Sequence, residues 1–222
     1  MNLELDHVFI LVEPHAQVAD LLVQLGLTES FSRAHKGQGT SNRRFEFTNA
    51  MLEFLWVRDK QEALNGPAKD LKFTQRATDI TASPFGIIVK RKDNTNLNKP
   101  YSGFNYQPDY LKAPMSFYIG QNAKNIQEPL CIYAPFIDPN SNGIKQNNQT
   151  FESAEKSTFK KLSHVKIHIC AQHMSDELQK VGQSDRLTVV LGQQHLIEVS
   201  FDELKCGLSK DFRPLIPLII HW

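Results

Sequence analysis

One short run occurs twice in this chain, and the repeat limits what the chain can fold into. Leu5-Asp6-His7-Val8-Phe9-Ile10-Leu11-Val12 returns in approximate form as Leu162-Ser163-His164-Val165-Lys166-Ile167-His168-Ile169. Both runs alternate with the period of two that a half-buried strand requires. That alternation places His7 on one face with Leu5, Phe9 and Leu11, and His164 on one face with Leu162, Lys166 and His168. Each run is followed by a short segment of helical period and then by a strand carrying a single acid. The acid is Glu53 within Met51-Leu52-Glu53-Phe54-Leu55-Trp56-Val57, and Glu198 within Leu196-Ile197-Glu198-Val199-Ser200-Phe201. The pattern is His, Glu, His, Glu, all on strands, in two copies of one unit.

Between these landmarks the first unit reads as β-α-β-β. Pro14 can open a helix with Val18, Leu21, Leu22 and Leu25 on one face and Gly26 as its cap. The stretch from Ser32 to Arg44 is polar and glycine-bearing, with room for a short strand before Lys36, and Phe45 to Val57 resumes strand character around Thr48-Asn49-Ala50. Asp59 to about Ile80 has a helical composition that ends at Ser83-Pro84-Phe85-Gly86. Strands are expected at Ile87–Lys90, Met115–Ile119 and Leu130–Tyr133. Asn94 to Pro114 forms an aromatic loop whose Tyr101, Phe104, Tyr106 and Tyr110 are too many rings to leave in water, so it should lie beside any cavity. The second unit carries a helix from about Ser175, then a hairpin of Leu187–Leu191 with Gln194–Phe201 around Gly192-Gln193. From His7 to Glu53 is 46 positions and from His164 to Glu198 only 34, so the second unit is trimmed. The proline-punctuated tail from Asp211 to Trp222 suits an edge strand.

The domain plan that follows is 1–58 as first module, 59–138 as an elaboration on the same body, 139–160 as an exposed polar connection and 161–222 as second module. A length of 222 residues gives such a body room for a proper core. A net charge of +1 points away from nucleic acid and anionic membranes as partners, and no apolar run is long enough to span a bilayer. The N-terminus lacks the basic and apolar regions of a secretory signal, and three scattered cysteines suit reduced thiols, so a cytoplasmic location is expected. There the sequon Asn148-Gln149-Thr150 carries no meaning.

The paired unit resembles the β-α-β-β-β modules of the vicinal oxygen chelate superfamily, which includes glyoxalase I, extradiol dioxygenases, fosfomycin-resistance enzymes and bleomycin-binding proteins. The likeness is to its glyoxalase-like proteins. It rests on Asp6-His7-Val8, Leu52-Glu53-Phe54-Leu55-Trp56-Val57, Ser83-Pro84-Phe85-Gly86-Ile87 and Phe212-Arg213-Pro214-Leu215-Ile216-Pro217-Leu218, and covers the chain apart from 139–160. It implies an α+β fold in which two modules form a U-shaped mixed sheet around a cavity, here with a large insertion between them. It also implies that His7, Glu53, His164 and Glu198 converge on a divalent metal (Zn, Ni, Fe or Mn). The metal would act as a Lewis acid on a substrate with adjacent oxygens, in a lyase, isomerase or dioxygenase, and Glu198 would serve as the labile catalytic carboxylate. The rival expectation is a metal-free protein that sequesters a small hydrophobic or aromatic compound in the same cavity. Expected partners are the small molecule and, as an option, a second copy in a homodimer.

Other candidates have ordinary readings beside them. His168 is an extra ligand or, more simply, a strand histidine. Arg43 and Arg44 could meet a substrate anion, although surface charge is their usual role. Cys131 and Cys170 lack any nucleophile signature.

Overall fold

Strand β1 (Leu3–Leu11) lies at the centre of the larger of two sheets. In the computed structural model, which describes residues 2–139 and 157–222, it pairs in parallel with β4 (Met51–Val57) and antiparallel with β5 (Phe85–Arg91). The first half of this sheet is completed by β2 (Arg33–His35) and β3 (Thr40–Glu46), with α1 (Ala19–Gln24) between β1 and β2. The second half is β6 (Gly103–Tyr106), β7 (Phe117–Gly120) and β8 (Leu130–Tyr133), giving the order β2-β3-β4-β1-β5-β8-β7-β6. The segment read as an elaboration between modules therefore supplies the other half of the sheet. Two short helices, α2 (Lys60–Asn65) and α3 (Phe73–Thr78), precede β5. The Asp59 side chain caps α2 by accepting from the Glu62 amide at 3.0 Å.

The smaller sheet is formed by β9 (Leu162–Ile169), β10 (Leu187–Leu191), β11 (Leu196–Phe201), β12 (Ser209–Asp211) and β13 (Leu218–His221), with α4 (Asp176–Val181) after β9. Its order, β10-β9-β11-β13-β12, is parallel, antiparallel, parallel, antiparallel. The run β4-β1-β5-β8-β7 in the larger sheet has the same four senses. The segment from 162 onwards is thus a trimmed copy of the whole eight-stranded sheet, lacking counterparts of β2, β3 and β6. Two expectations are corrected by this. β10 and β11 are not a hairpin, since they flank β9 on opposite sides. The tail strand β13 is interior, and the edge is β12.

The face that each side chain takes on β1 is set by a bulge. Leu5 pairs with Val89 and His7 with Ile88, so two steps on β1 match one on β5 and Asp6 is the extra residue. Leu5 was expected to share a face with His7. The bulge instead sends it to the core with Val8 and Ile10, while Phe9 and Leu11 lie in a separate cluster on the other face.

Apolar residues of both sheets form one continuous core: Leu5, Phe54, Phe85 and Ile87 from the larger, Val165, Ile197, Phe201 and Leu218 from the smaller, with Leu22 of α1 and Leu178 of α4. Each such side chain contributes about 1.5–3 kcal/mol by leaving water. Polar ties fix the seam. Arg186 donates to the carbonyls of Leu5 (2.7 Å) and Asn49 (3.0 Å), and the Asn49 side chain both donates to and accepts from the Leu162 backbone, at 2.8 and 3.0 Å. Of the expected 139–160 connection, residues 140–156 and their sequon lie outside the described residues. Phe159 packs on Phe201 and Trp222 in the core.

Candidate functional site

The second face of the eight-stranded sheet curves around a cavity of about 300 Å³, closed by Leu71 and Phe73 and by Tyr106, Tyr110 and Leu111. Two rings of the aromatic loop therefore line the cavity. Of the others, Phe104 packs beside them and Tyr101 joins the main core.

The cavity has two unlike walls. One comes from β2, β3 and their neighbours on β4 and β1. Pairing in register places Arg44 opposite Glu53, Asn42 opposite Leu55 and Arg33 opposite Asn42, so alternate residues of two polar strands point inward. The other wall comes from β5 and β8 and presents Ile88 and Ile132, with Phe117, Phe136 and Ile137 beside them.

The polar wall is a connected network. Glu53 is 6% exposed, and its Oε1 accepts a hydrogen bond from Asn42 Nδ2. Its Oε2 lies 3.8 Å from His7 Nε2, and His7 Nδ1 is 2.6 Å from Asp6 Oδ2. The bulge at Asp6 is what allows this carboxylate and the next residue to share one side. Asn42 Nδ2 also lies 3.5 Å from His35 Nε2, while His35 Nδ1 is 2.9 Å from Thr40 Oγ1. Thr40 accepts from Gln38 Nε2 at 2.8 Å, and Gln38 Oε1 accepts from the Tyr106 hydroxyl at 3.1 Å. Burial holds the His35 pKa below its ordinary 6.5, with Glu53 opposing and Arg33 and Arg44 assisting. A neutral ring suits its neighbours, because Nε2 faces an amide NH₂ and is needed as an acceptor.

This fixes the sign of one pH effect. A folded pKa below the unfolded one means the unfolded chain takes up the proton first, so the stability supplied by neutral His35 is complete above pH 6.5 and drains as pH falls below it. Melting temperature should fall between pH 7 and pH 5, and the fall should be shallower in His35→Gln. Parallel curves for the two proteins would contradict the assignment.

The structure does not bring the four expected metal residues together. His7 and Glu53 line the cavity, whereas His164 and Glu198 are on the smaller sheet. The cause is a strand order that the likeness of the two acid-bearing strands concealed. Glu198 is on β11, the counterpart of β5, and the counterpart of β4 is β10. With His7 matched to His164, the position of Glu53 falls on Thr188, those of Ile88 and Ile132 on Ser200 and His221. His164 Nε2 indeed lies 3.0 Å from Thr188 Oγ1. Glu198 is held elsewhere, by His168 Nε2 at 2.7 Å and His221 Nε2 at 3.0 Å, and these contacts with Lys166 depress its pKa against the opposing effect of burial. His168 is therefore a carboxylate partner on the outer face.

A divalent metal in the cavity would have His7 and Glu53 from one half and would face Ile88 and Ile132 on β5 and β8 of the other, which supply no donor. Among the described residues no group of three or more His, Cys, Asp or Glu side chains is disposed to hold a metal ion. The donor set does not fit the four-ligand centre that the resemblance implies. Cys131 is fully buried and its thiol pKa is pushed well up by burial, which makes it inert.

Sequence reasoning missed Arg33, His35, Gln38 and Asn42, which lie in the stretch read only as polar and glycine-bearing with room for a short strand before Lys36. Alternation could not have found them, because Thr40 to Arg44 is polar at every place and only Phe45 breaks the run.

No protein-family model matches the chain, and no curated protein matches it. Among solved structures, a hypothetical protein from Staphylococcus aureus has the same fold, with a TM-score of 0.59 and 12% identity over 100% of this chain and 99% of that one. The hypothetical protein BH1468 from Bacillus halodurans C-125 aligns with a TM-score of 0.43 and 14% identity over 62% of this chain and 97% of its own. A methylmalonyl-CoA epimerase in complex with methylmalonyl-CoA and NH4+ aligns with a TM-score of 0.42 and 11% identity over 61% and 95%.

Proposed function

We propose that the cavity of the eight-stranded sheet binds a small molecule with one polar and one apolar end, and that recognition there is metal-free. The division of its lining carries this reading. Donors and acceptors stand on one wall and hydrocarbon on the other, in a volume of about 300 Å³, at the lower limit for ligand pockets. The metal-dependent lyase, isomerase or dioxygenase reading asks for further donors from the second half of the sheet, where β5 and β8 present Ile88 and Ile132 to the cavity.

A second reading, acid–base catalysis on the bound molecule, is favoured by Asp6, His7 and Glu53. Asp6 orients the His7 ring, so Nε2 is presented to the same space as Glu53 Oε2, and the 3.8 Å between them lets an atom set off that line touch both. His7 and Glu53 could then exchange a proton with the molecule from adjacent positions.

The test is a ligand-observed NMR screen of small amphipathic compounds against three proteins. Hits on the wild type should vanish in Ile132→Trp, which fills the apolar wall, and persist in Glu198→Gln on the other sheet. Binding that survives Ile132→Trp, or is lost in Glu198→Gln, would move the site out of this cavity. For the catalytic reading, hits incubated in D₂O should exchange a C–H proton with wild type and not with Glu53→Gln.

A further inference from the structure

Arg43 and Arg44 are adjacent in sequence and opposite in fate. Arg43 turns to the face shared with α1 and is saturated there. Its guanidinium donates to Glu29 at 2.8 and 2.6 Å, to Asp20 at 2.7 Å and to the Ala16 carbonyl at 3.1 Å. Arg44, one step along β3, turns into the cavity. There its Nε donates to the Phe31 carbonyl at 2.9 Å, and the nearest acid is Glu46, 4.0 Å from Nη2. Its side chain is only 17% exposed, so most of a guanidinium fork lies out of water without a counterion in hydrogen-bond contact.

A second guanidinium stands beside it. Arg33 lies 5.5 Å from the centre of the Phe31 ring and 5.4 Å from that of Tyr110, and Arg44 lies 4.8 Å from the Phe31 ring. Among the described residues the Arg33 guanidinium makes no hydrogen bond. The two cations thus flank one aromatic ring at the cavity wall, held in place by ring faces and by one carbonyl, with most of their N–H groups free. The acids of the same wall are engaged: Asp6 with His7, and Glu53 with Asn42. Glu46 faces Arg44 at 4.0 Å, and burial raises its pKa toward the neutral form against the opposing effects of Arg44 and Ser30.

We infer that the molecule taken by this cavity is a carboxylate, its anionic end held by the Arg44 and Arg33 forks and its hydrocarbon end laid against Ile88 and Ile132. This rests on the cavity being the ligand site. A planar carboxylate matches the guanidinium fork in geometry, and a charged hydrogen bond in a place shielded from water is worth more than one at the surface. A neutral ligand of the same shape would leave both cations as they are.

Isothermal titration of matched pairs separates the possibilities: hexanoate with hexanamide, benzoate with benzamide, phenylacetate with phenylacetamide, and phenyl phosphate as a second anion. In the wild type the carboxylate of a pair should bind about 10- to 100-fold more tightly than its amide, the range expected for charge-assisted hydrogen bonds. Arg44→Gln should remove most of that preference while leaving amide affinity within about twofold, since amides never used the charge. Arg44→Lys should retain a part, because an ammonium supplies charge without the fork. Arg33→Gln, at an exposed position where the guanidinium touches only the faces of Phe31 and Tyr110, should lower the preference as well and serves if Arg44→Gln misfolds. Equal binding of acids and amides, or a preference unaffected by either glutamine, would overturn the inference and leave the cavity reading standing, provided Ile132→Trp abolishes the binding. Tighter binding of phenyl phosphate would overturn the carboxylate class. Binding by neither acids nor amides would overturn the cavity reading itself.

Discussion

Replacing Arg76 with methionine should destabilise the fold by about 3–5 kcal/mol, from about 1–3 kcal/mol for each of the buried carbonyls of Glu128, Ser83 and Ala123 left without a donor. Arg76 is on α3 and only 2% exposed. Its Nη1 donates to the carbonyls of Glu128 (2.6 Å), Ile126 (3.2 Å) and Ser83 (3.4 Å), and Nη2 to those of Asn125 (3.3 Å) and Ala123 (3.5 Å). Those carbonyls belong to the turn that leads into β8 and to the entry of β5. Methionine keeps much of the volume and supplies no donor, so several buried acceptors are orphaned at once. Because Phe73 of the same helix lines the cavity, ligand affinity should fall along with stability. Urea unfolding would show the loss as a lower midpoint at unchanged slope. A shift under 1 kcal/mol would mean that water takes over the carbonyls and that the network matters little.

The double substitution Ile88→His with Ile132→Glu should create a metal site where the natural chain has half of one. His7, Ile88 and Ile132 form a single row across β1, β5 and β8, and Glu53 is on the same face one strand away. With both changes the row offers two imidazoles and two carboxylates around one space. Zinc at a thousandfold excess over its dissociation constant would then add about 4 kcal/mol to stability, read as a rise in melting temperature that EDTA reverses. The wild type should show no such rise. If the variant also fails to respond while remaining folded, the row is not the place where a metal could be held. If the wild type responds, its cavity holds a metal with the donors it has, and the metal-free proposal fails.

Much of the strand content was legible because it is written in alternation. β8 and β9 were read at their residue limits, and the duplicated opening run of β1 and β9 does mark equivalent strands. What could not be read was pairing. Nothing in Leu187–Leu191 or Gln194–Phe201 states that β9 inserts between them, since the two-residue gap Gly192-Gln193 suits a hairpin equally well. That one choice moved Glu198 from the β5 counterpart to the β4 counterpart, and with it went the convergence of the four residues. The bulge at Asp6 was equally hidden, because an extra residue shows itself only against a partner strand. The polar wall was lost for another reason. Thr40 to Glu46 is a strand buried by a cavity and its cover, so it lacks the hydrocarbon that ordinarily announces a buried strand.

The face-to-face stacking of the two sheets has a consequence for how such a chain can change over time. Their inner surfaces are locked to one another, so a substitution there must be answered from the opposite sheet. The outer surfaces owe each other nothing. One has kept its flanking strands and a roof, and encloses a chamber. The other, with His164, Lys166, Glu198 and His221 half-exposed, has shed three strands without loss to the shared interior. Duplication followed by back-to-back docking thus leaves one copy free to act as the foundation of its twin, and chemistry needs to be maintained on a single side.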